Sequence, residues 1–239
     1  LDHRRRSASR ELTLIALCGT IEGVVHIPLR EPRVRYVVLS DIHGNLAALR
    51  AVLGDIGSVD AVWCLGDVVG YGPNPNECVE LVRQHAAICL AGNHDWAAAA
   101  KMDLDAFNPD AVRAITWTRQ QLTGENLGFL ASLPSMLRQG QTTLAHGSPR
   151  DPIWEYVLSV RAAHENFARF DTACCLVGHT HRPAVFRQAE GTIKQLLPGS
   201  DGSLATGTGR FIINPGSVGQ PRDGDPRSSQ VGESTRRVR

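Results

Sequence analysis

Six apolar runs of four to seven residues each end in a small group of polar residues. Val34 to Ser40 leads into Asp41-Ile42-His43-Gly44-Asn45, Ala61 to Leu65 into Gly66-Asp67, and Ala86 to Ala91 into Gly92-Asn93-His94-Asp95. Further on, Thr142 to Ala145 leads into His146-Gly147, Ala173 to Val177 into Gly178-His179-Thr180-His181, and Arg210 to Ile213 into Asn214-Pro215-Gly216-Ser217. Short continuous apolar runs of this kind read as buried strands. If the strands are mostly parallel, their polar ends share one edge of the fold, where open α/β sheets bind ligands.

Helical patterns fill the gaps. Asn45 caps a helix whose apolar positions Leu46, Leu49, Val52, Leu53 and Ile56 stop at Gly57, and Asn74-Pro75 opens another through Val79 and Val82. Asp41 to Asp67 and Asp67 to Asn93 are each 26 residues, one crossover unit apiece, which predicts a parallel, right-handed arrangement. Asn108-Pro109 predicts a helix through Ala111, Val112, Ile115, Trp117 and Leu122, with a short one over Glu125 to Leu133 and another from Val160 to Phe170. Trp117 and Phe129 are expected in the core. Ala184 to Gln188 and Thr192 to Leu197 read as antiparallel strands of a second sheet, and Gly199 to Gly209 as a loop. Arg150 to Tyr156, just past His146, is placed to form a pocket rim.

The main domain is expected over residues 33–227. Residues 1–32 form an extension of unknown role, whose runs Leu12 to Leu17 and Val24 to Leu29 form a hairpin or a poorly ordered segment; residues 228–239 form a polar, basic tail. With 239 residues, 42% hydrophobic and 5% aromatic, the chain has material for one sizeable core, and a formal charge of +1 points to no nucleic-acid surface. No run reaches the length of a membrane span, and Arg4-Arg5-Arg6 with the short apolar run after it only imitates a signal peptide. Six cysteines without a C-x-x-C pair read as reduced thiols of a cytoplasmic protein.

Along the shared edge, Asp41, His43, Asp67, Asn93, His146, His179 and His181 converge, with His94 beside them. Carboxylate, imidazole and amide donors in this number suit two divalent transition metals with open positions. Asn93 offers a neutral oxygen, and His94 titrates close enough to neutrality to donate a proton.

The ordered series D-x-H, G-D, G-N-H-D, H-G and G-H-T-H resembles the calcineurin-like metallophosphoesterase superfamily from Val34 to Arg227. The segments Gly66 to Pro75 and Ile213 to Arg227 are similar to its small prokaryotic, phosphodiesterase-like branch. The resemblance implies an α/β fold, a four-layer α/β/β/α sandwich with two mixed β-sheets. It also implies one metal between Asp41, His43, Asp67 and His181, and another between Asp67, Asn93, His146 and His179. Asp67 would bridge, the metals would be Mn²⁺, with Fe, Ni or Zn as alternatives, and a metal-bridging hydroxide would attack phosphorus. His94 matches the general acid, Gly92 and Gly178 allow close backbone approach, and Asn214 with Gly216 buttresses the site. Ser/Thr protein phosphatases of the superfamily carry an aspartate and an arginine where this chain has Gly70 and Tyr71. That departure favours a small phosphoester or nucleotide-like substrate, bound by Asn93, His94, Tyr71 and Arg150, with Asp95 or Arg150 in partial compensation. Non-catalytic scaffolds on the same fold and protein phosphatases are the alternatives. The family pattern continues into further strands where Ser228 to Arg239 is aperiodic, so the second sheet is expected to be incomplete, and the oligomeric state is open.

Overall fold

A computed structural model describes residues 13–16, 25–29, 34–196, 203–205 and 208–224. The first part of the chain contributes β1 (Thr13–Ala16), β2 (Val25–Leu29), β3 (Val34–Leu39), α1 (Leu46–Asp55), β4 (Ala61–Cys64), α2 (Pro75–His85), β5 (Ala86–Cys89) and α3 (Asn93–Ala98). There follow α4 (Pro109–Gln121), α5 (Gly124–Ser132), β6 (Met136–Gln139), β7 (Thr142–Ala145), α6 (Val160–Phe167), β8 (Cys174–Leu176), β9 (Ala184–Ala189), β10 (Thr192–Leu196), β11 (Ser203–Ala205) and β12 (Arg210–Asn214). Two six-stranded sheets result, in the orders β11-β1-β2-β3-β4-β5 and β10-β9-β12-β8-β7-β6. Both are mixed: β3, β4 and β5 run parallel, as do β7, β8 and β12, while the remaining pairs are antiparallel.

The strand period of two sorts the core into three layers. Val38, Trp63 and Leu65 point between the sheets, where they meet Leu144, Leu176, Phe211 and Ile213. Their neighbours Val37, Leu39, Val62 and Cys64 face the other way, against Leu49, Val52, Val79 and Ile115 of the helices. On the outside of the second sheet, Cys175, Val177 and Ile212 pack with Ala163 and Phe167 of α6. Three apolar seams between two helical layers and two sheets make the α/β/β/α sandwich. The parallel strands end on one side, which is where the polar motifs emerge.

Asn45 and Asn108 cap as the sequence predicts, accepting from Ala48 N at 3.1 Å and Ala111 N at 2.9 Å. Asn74 occupies the cap position of α2 but makes no side-chain cap bond, so the proline after it carries that start. Thr123 and Ser159 cap α5 and α6. Trp117 is corrected: it is 40% exposed, on the solvent side of α4, whereas Phe129 packs on the core. β5 is also less buried than an all-apolar run predicts, because it lies at the edge of its sheet.

The apolar runs before residue 33 do pair: β1 and β2 are antiparallel, and β2 continues onto β3, extending the first sheet. The expected loop over Gly199 to Gly209 contains a strand, β11, that pairs with β1. In the second sheet six strands are present, with the edge strand β10 exposing Lys194 and Gln195, the polar trimming by which edges resist further pairing. The tail from Ser228, Arg4 to Arg6 and Cys18 lie outside the described residues. Among the described residues, no helix is long and apolar enough to cross a membrane.

Candidate metal centre

Five of the expected ligands sit where L-residues rarely go: Asp41, His43, Asp67, His179 and His181 have φ between 49° and 64°. Left-handed conformations cost roughly 1–3 kcal/mol each and persist only where surrounding structure enforces them. Here backbone hydrogen bonds do so, Asp41 N donating to Gly66 O at 3.0 Å and His43 N to Asp67 O at 2.9 Å. The turns also need bare backbone beside them. A Cβ at Gly92 would collide with the Asp67 carboxylate, and one at Gly178 with the Ser40 hydroxyl. Asn214 spans the neighbouring turns, donating to Gly178 O at 2.7 Å and Thr180 Oγ1 at 2.9 Å while accepting from Gly216 N. It buttresses the loop that carries His179 and His181.

Two groups of ligand atoms converge, Asp41, His43, Asp67 and His181 in one and Asp67, His146 and His179 in the other, each within 4.8 Å. Asp67 belongs to both, its Oδ2 lying 3.6 Å from His43 Nε2 and 3.4 Å from His146 Nε2. Asn93 Oδ1 lies 3.3 Å from His146 Nε2, and His179 Nδ1 3.2 Å from the same nitrogen. His43, His146 and His181 each turn Nδ1 to a backbone carbonyl, of Val69, Leu65 and Gln220 respectively. A carbonyl only accepts, so the neutral rings carry their proton on Nδ1 and aim an Nε2 lone pair inward.

That arrangement suits a cation and little else. His43 Nε2 and His181 Nε2 are 3.0 Å apart, two lone pairs facing each other in the neutral rings. Asp41 Oδ1 is buried and accepts no hydrogen bond from the described residues. Burial pushes the Asp41 carboxyl up and pulls the His43 imidazole well down, each away from its charged form. Asp67 is as deeply buried, yet the surrounding histidines, His146 foremost, hold it well below the usual carboxylate range. Burial works against a charge on His146 too, but the Asp67 carboxylate outweighs it and raises that ring to about 9. A proton here does what a divalent ion does better, so metal and proton compete for the same donors.

Above the donors opens a pocket of about 110 Å³. Its floor is Asp67, Asn93, His94, His179 and His181. His94 packs edge-on against His43 and Phe107, with its backbone N donating to Asp67 Oδ1 at 2.9 Å. Among the described residues its Nδ1 has no partner, and burial lowers the ring to about 4. Tyr71 lines the wall as expected, with its ring 4.7 Å from that of His94. Trp154 and Tyr156, from the expected rim, stand beside His179.

Arg150 is not brought into the pocket. Its guanidinium pairs with Glu155 and Glu165 in an exposed network that also ties down Ser148 and Asn166, so it braces the rim from outside. Nor does Asp95 reach His94, since its carboxylate is committed to Gly92 N at 2.9 Å and Val69 N at 3.1 Å. The arginine that does line the pocket is Arg222, in a segment where the sequence suggested kinship but no role. Phe107 and Asn108 were missed as wall residues as well; a cap-and-proline start gives no sign that it also faces a ligand.

A two-sheet α/β/β/α sandwich with an aspartate-centred histidine cluster at its strand ends defines a hydrolase acting on phosphate esters. The chain belongs to the calcineurin-like phosphoesterase superfamily, whose domain model matches residues 34–236. It is similar to a metallophosphoesterase from Sphaerobacter thermophilus of known structure, with 52% identity, a TM-score of 0.71, and coverage of 81% of this chain and 80% of that one. It is 42% identical to protein MJ0912 of Methanocaldococcus jannaschii over 80% of this chain and 79% of that protein. A symmetrical bis(5'-nucleosyl)-tetraphosphatase of Photorhabdus laumondii is 28% identical over 57% of this chain and 52% of its own length.

Proposed function

We propose that the chain hydrolyses phosphodiester or phosphoric anhydride bonds in small, nucleotide-like substrates, using two divalent metal ions, Mn²⁺ the first candidate. The observation that carries this is the position of Asp67, one carboxylate facing both groups of ligand atoms at the base of an open pocket. One ion would be held by Asp41, His43, Asp67 and His181, the other by Asp67, Asn93, His146 and His179. Bound there, such ions supply Lewis-acid charge and an activated water.

The chain's own residues divide the remaining work. Asn93 and His94 reach the floor of the pocket from the start of α3, so both can contact a phosphoryl group resting on it. His94 is neutral at pH 7 before substrate binds; the negative charge of an arriving phosphate favours its protonated form, which then donates to the leaving oxygen. Tyr71, Phe107, Trp154 and Tyr156 offer aromatic faces for a base or aryl group and keep water from the leaving side. His94 and an intact donor set weigh against a non-catalytic scaffold. Half-enclosed aromatic walls weigh against a folded phosphoprotein. Five described cysteines are free thiols, which supports a reducing compartment such as the cytoplasm.

Turnover of bis-p-nitrophenyl phosphate, p-nitrophenyl phosphate, diadenosine tetraphosphate and a phosphoserine peptide, compared at equal Mn²⁺, tests this. We expect the diester or the tetraphosphate to have the highest kcat/KM; a lead for the peptide sinks the reading.

A further inference from the structure

We propose that Arg222, with Tyr71 and Asn108, forms an anion subsite that holds a second phosphate of the substrate, beside the phosphorus that reacts. All three line the pocket, and Arg222 comes from the far end of the described chain. Its guanidinium donates to Gln220 Oε1 at 2.9 Å and meets the Tyr71 hydroxyl, which Asn108 also contacts. These partners are neutral, so neither cancels its positive charge.

The root of this side chain is fixed to the metal centre. Arg222 N donates to His181 O at 3.2 Å, Arg182 Nε donates to Arg222 O at 2.8 Å, and Gln220 O accepts from His181 Nδ1. Upstream, Ser217 Oγ donates to Asp41 O and Gly219 N to the same oxygen. The main chain that carries Arg222 is thus in place before substrate arrives, and only its exposed side chain, held to Gln220 and Tyr71, is left to order on binding. Tyr71 sets the spacing: its ring packs on His43 and His94, and its hydroxyl meets Arg222. The cation therefore stands across the Tyr71 ring from His43 and His94, which is where the proposal puts the phosphate next to the reacting one. Guanidinium binds two oxygens of a phosphate at once, which a lysine cannot copy.

This subsite rests on the phosphoesterase reading, and it predicts a preference for substrates with a phosphate next to the one attacked. Arg222→Gln should lower the ratio of kcat/KM for diadenosine tetraphosphate over bis-p-nitrophenyl phosphate by roughly 10- to 100-fold, mostly through KM. Arg222→Lys should fall between the variant and the parent, since it keeps charge but not the fork. An unchanged ratio overturns the subsite, whatever the absolute rates. Calorimetric titration of Mn²⁺-loaded protein with inorganic pyrophosphate, against orthophosphate as control, gives a readout without turnover. Pyrophosphate should bind more tightly to the parent than orthophosphate does, and Arg222→Gln should remove that advantage; equal affinities in the parent also overturn it. If the parent turns over neither substrate, the phosphoesterase reading fails on its own while pyrophosphate still decides the subsite.

Discussion

The floor and the wall of the pocket are built on opposite principles. At and beneath the floor, Asp41, His43, Asp67, His146 and His181 are at most 2% exposed; all but His146 sit in left-handed backbone conformations, and the three histidines are aimed by carbonyls of neighbouring turns. The wall is made of loop residues: Tyr156 is 46% exposed, and Phe107 meets Trp154 ring to ring at 4.8 Å. Rigid, costly backbone is spent where charge must be concentrated, whereas packing between rings suffices where a substrate is only to be recognised. The chemistry should therefore collapse when the floor is altered and merely shift its preferences when the wall is.

The largest effect belongs to Asp67→Asn, which weakens the donor shared by both groups. A loss of several kcal/mol of transition-state stabilisation corresponds to at least about 10³-fold in kcat. Metal analysis should show both ions weakened, while Asn93→Ala, on one side only, costs less; equal losses would remove Asp67 from the shared position. Ion binding should also show in stability. At 100 times Kd one ion contributes about 2.7 kcal/mol. For a chain of this size that is roughly 5–10 °C in Tm. Mn²⁺ should give that shift in the parent and much less in Asp67→Asn.

Next comes His94→Gln, at the meeting of floor and wall. With its backbone still available to Asp67 and its side chain outside the two ligand groups, this variant should keep its metal content. Its kcat should fall about 10²–10⁴-fold for an alkyl leaving group and distinctly less for p-nitrophenol, which leaves without protonation. Loss of both metals would make His94 a ligand instead.

The same division explains what could be read from the sequence. Every floor residue follows an apolar strand, because a ligand held at a strand end requires that strand, and the run-then-polar pattern is visible without a structure. The helix starts at Asn45 and Asn108 were equally local. Arg150 and Arg222 show where locality ends. Arg150 lies three residues past Gly147 and looked available, but Glu155 and Glu165 claim it from a loop and a helix. Arg222 lies 41 residues past His181 and reaches the pocket only because β12 returns the chain beside β8. Trp117 shows the limit of period alone, since a helix that borders solvent can carry a large ring on its outer face.

The smallest effect predicted here is Trp154→Ala, and it discriminates most finely between floor and wall. Trp154 touches Phe107 and lies with its ring 6.2 Å from that of His179, but it donates to no ligand atom and is itself half-buried. Removing the ring takes away a stacking face and leaves the donors where the backbone holds them. Stacking of a base on an aromatic side chain is worth about 1–3 kcal/mol, so KM for a nucleotide substrate should rise roughly 5- to 100-fold, with kcat changed little. Bis-p-nitrophenyl phosphate, with smaller rings, should lose less, and metal affinity should be unchanged. A kcat effect as large as that of His94→Gln would mean that the wall positions the reacting phosphoryl group itself, and the separation of chemistry from recognition would not hold.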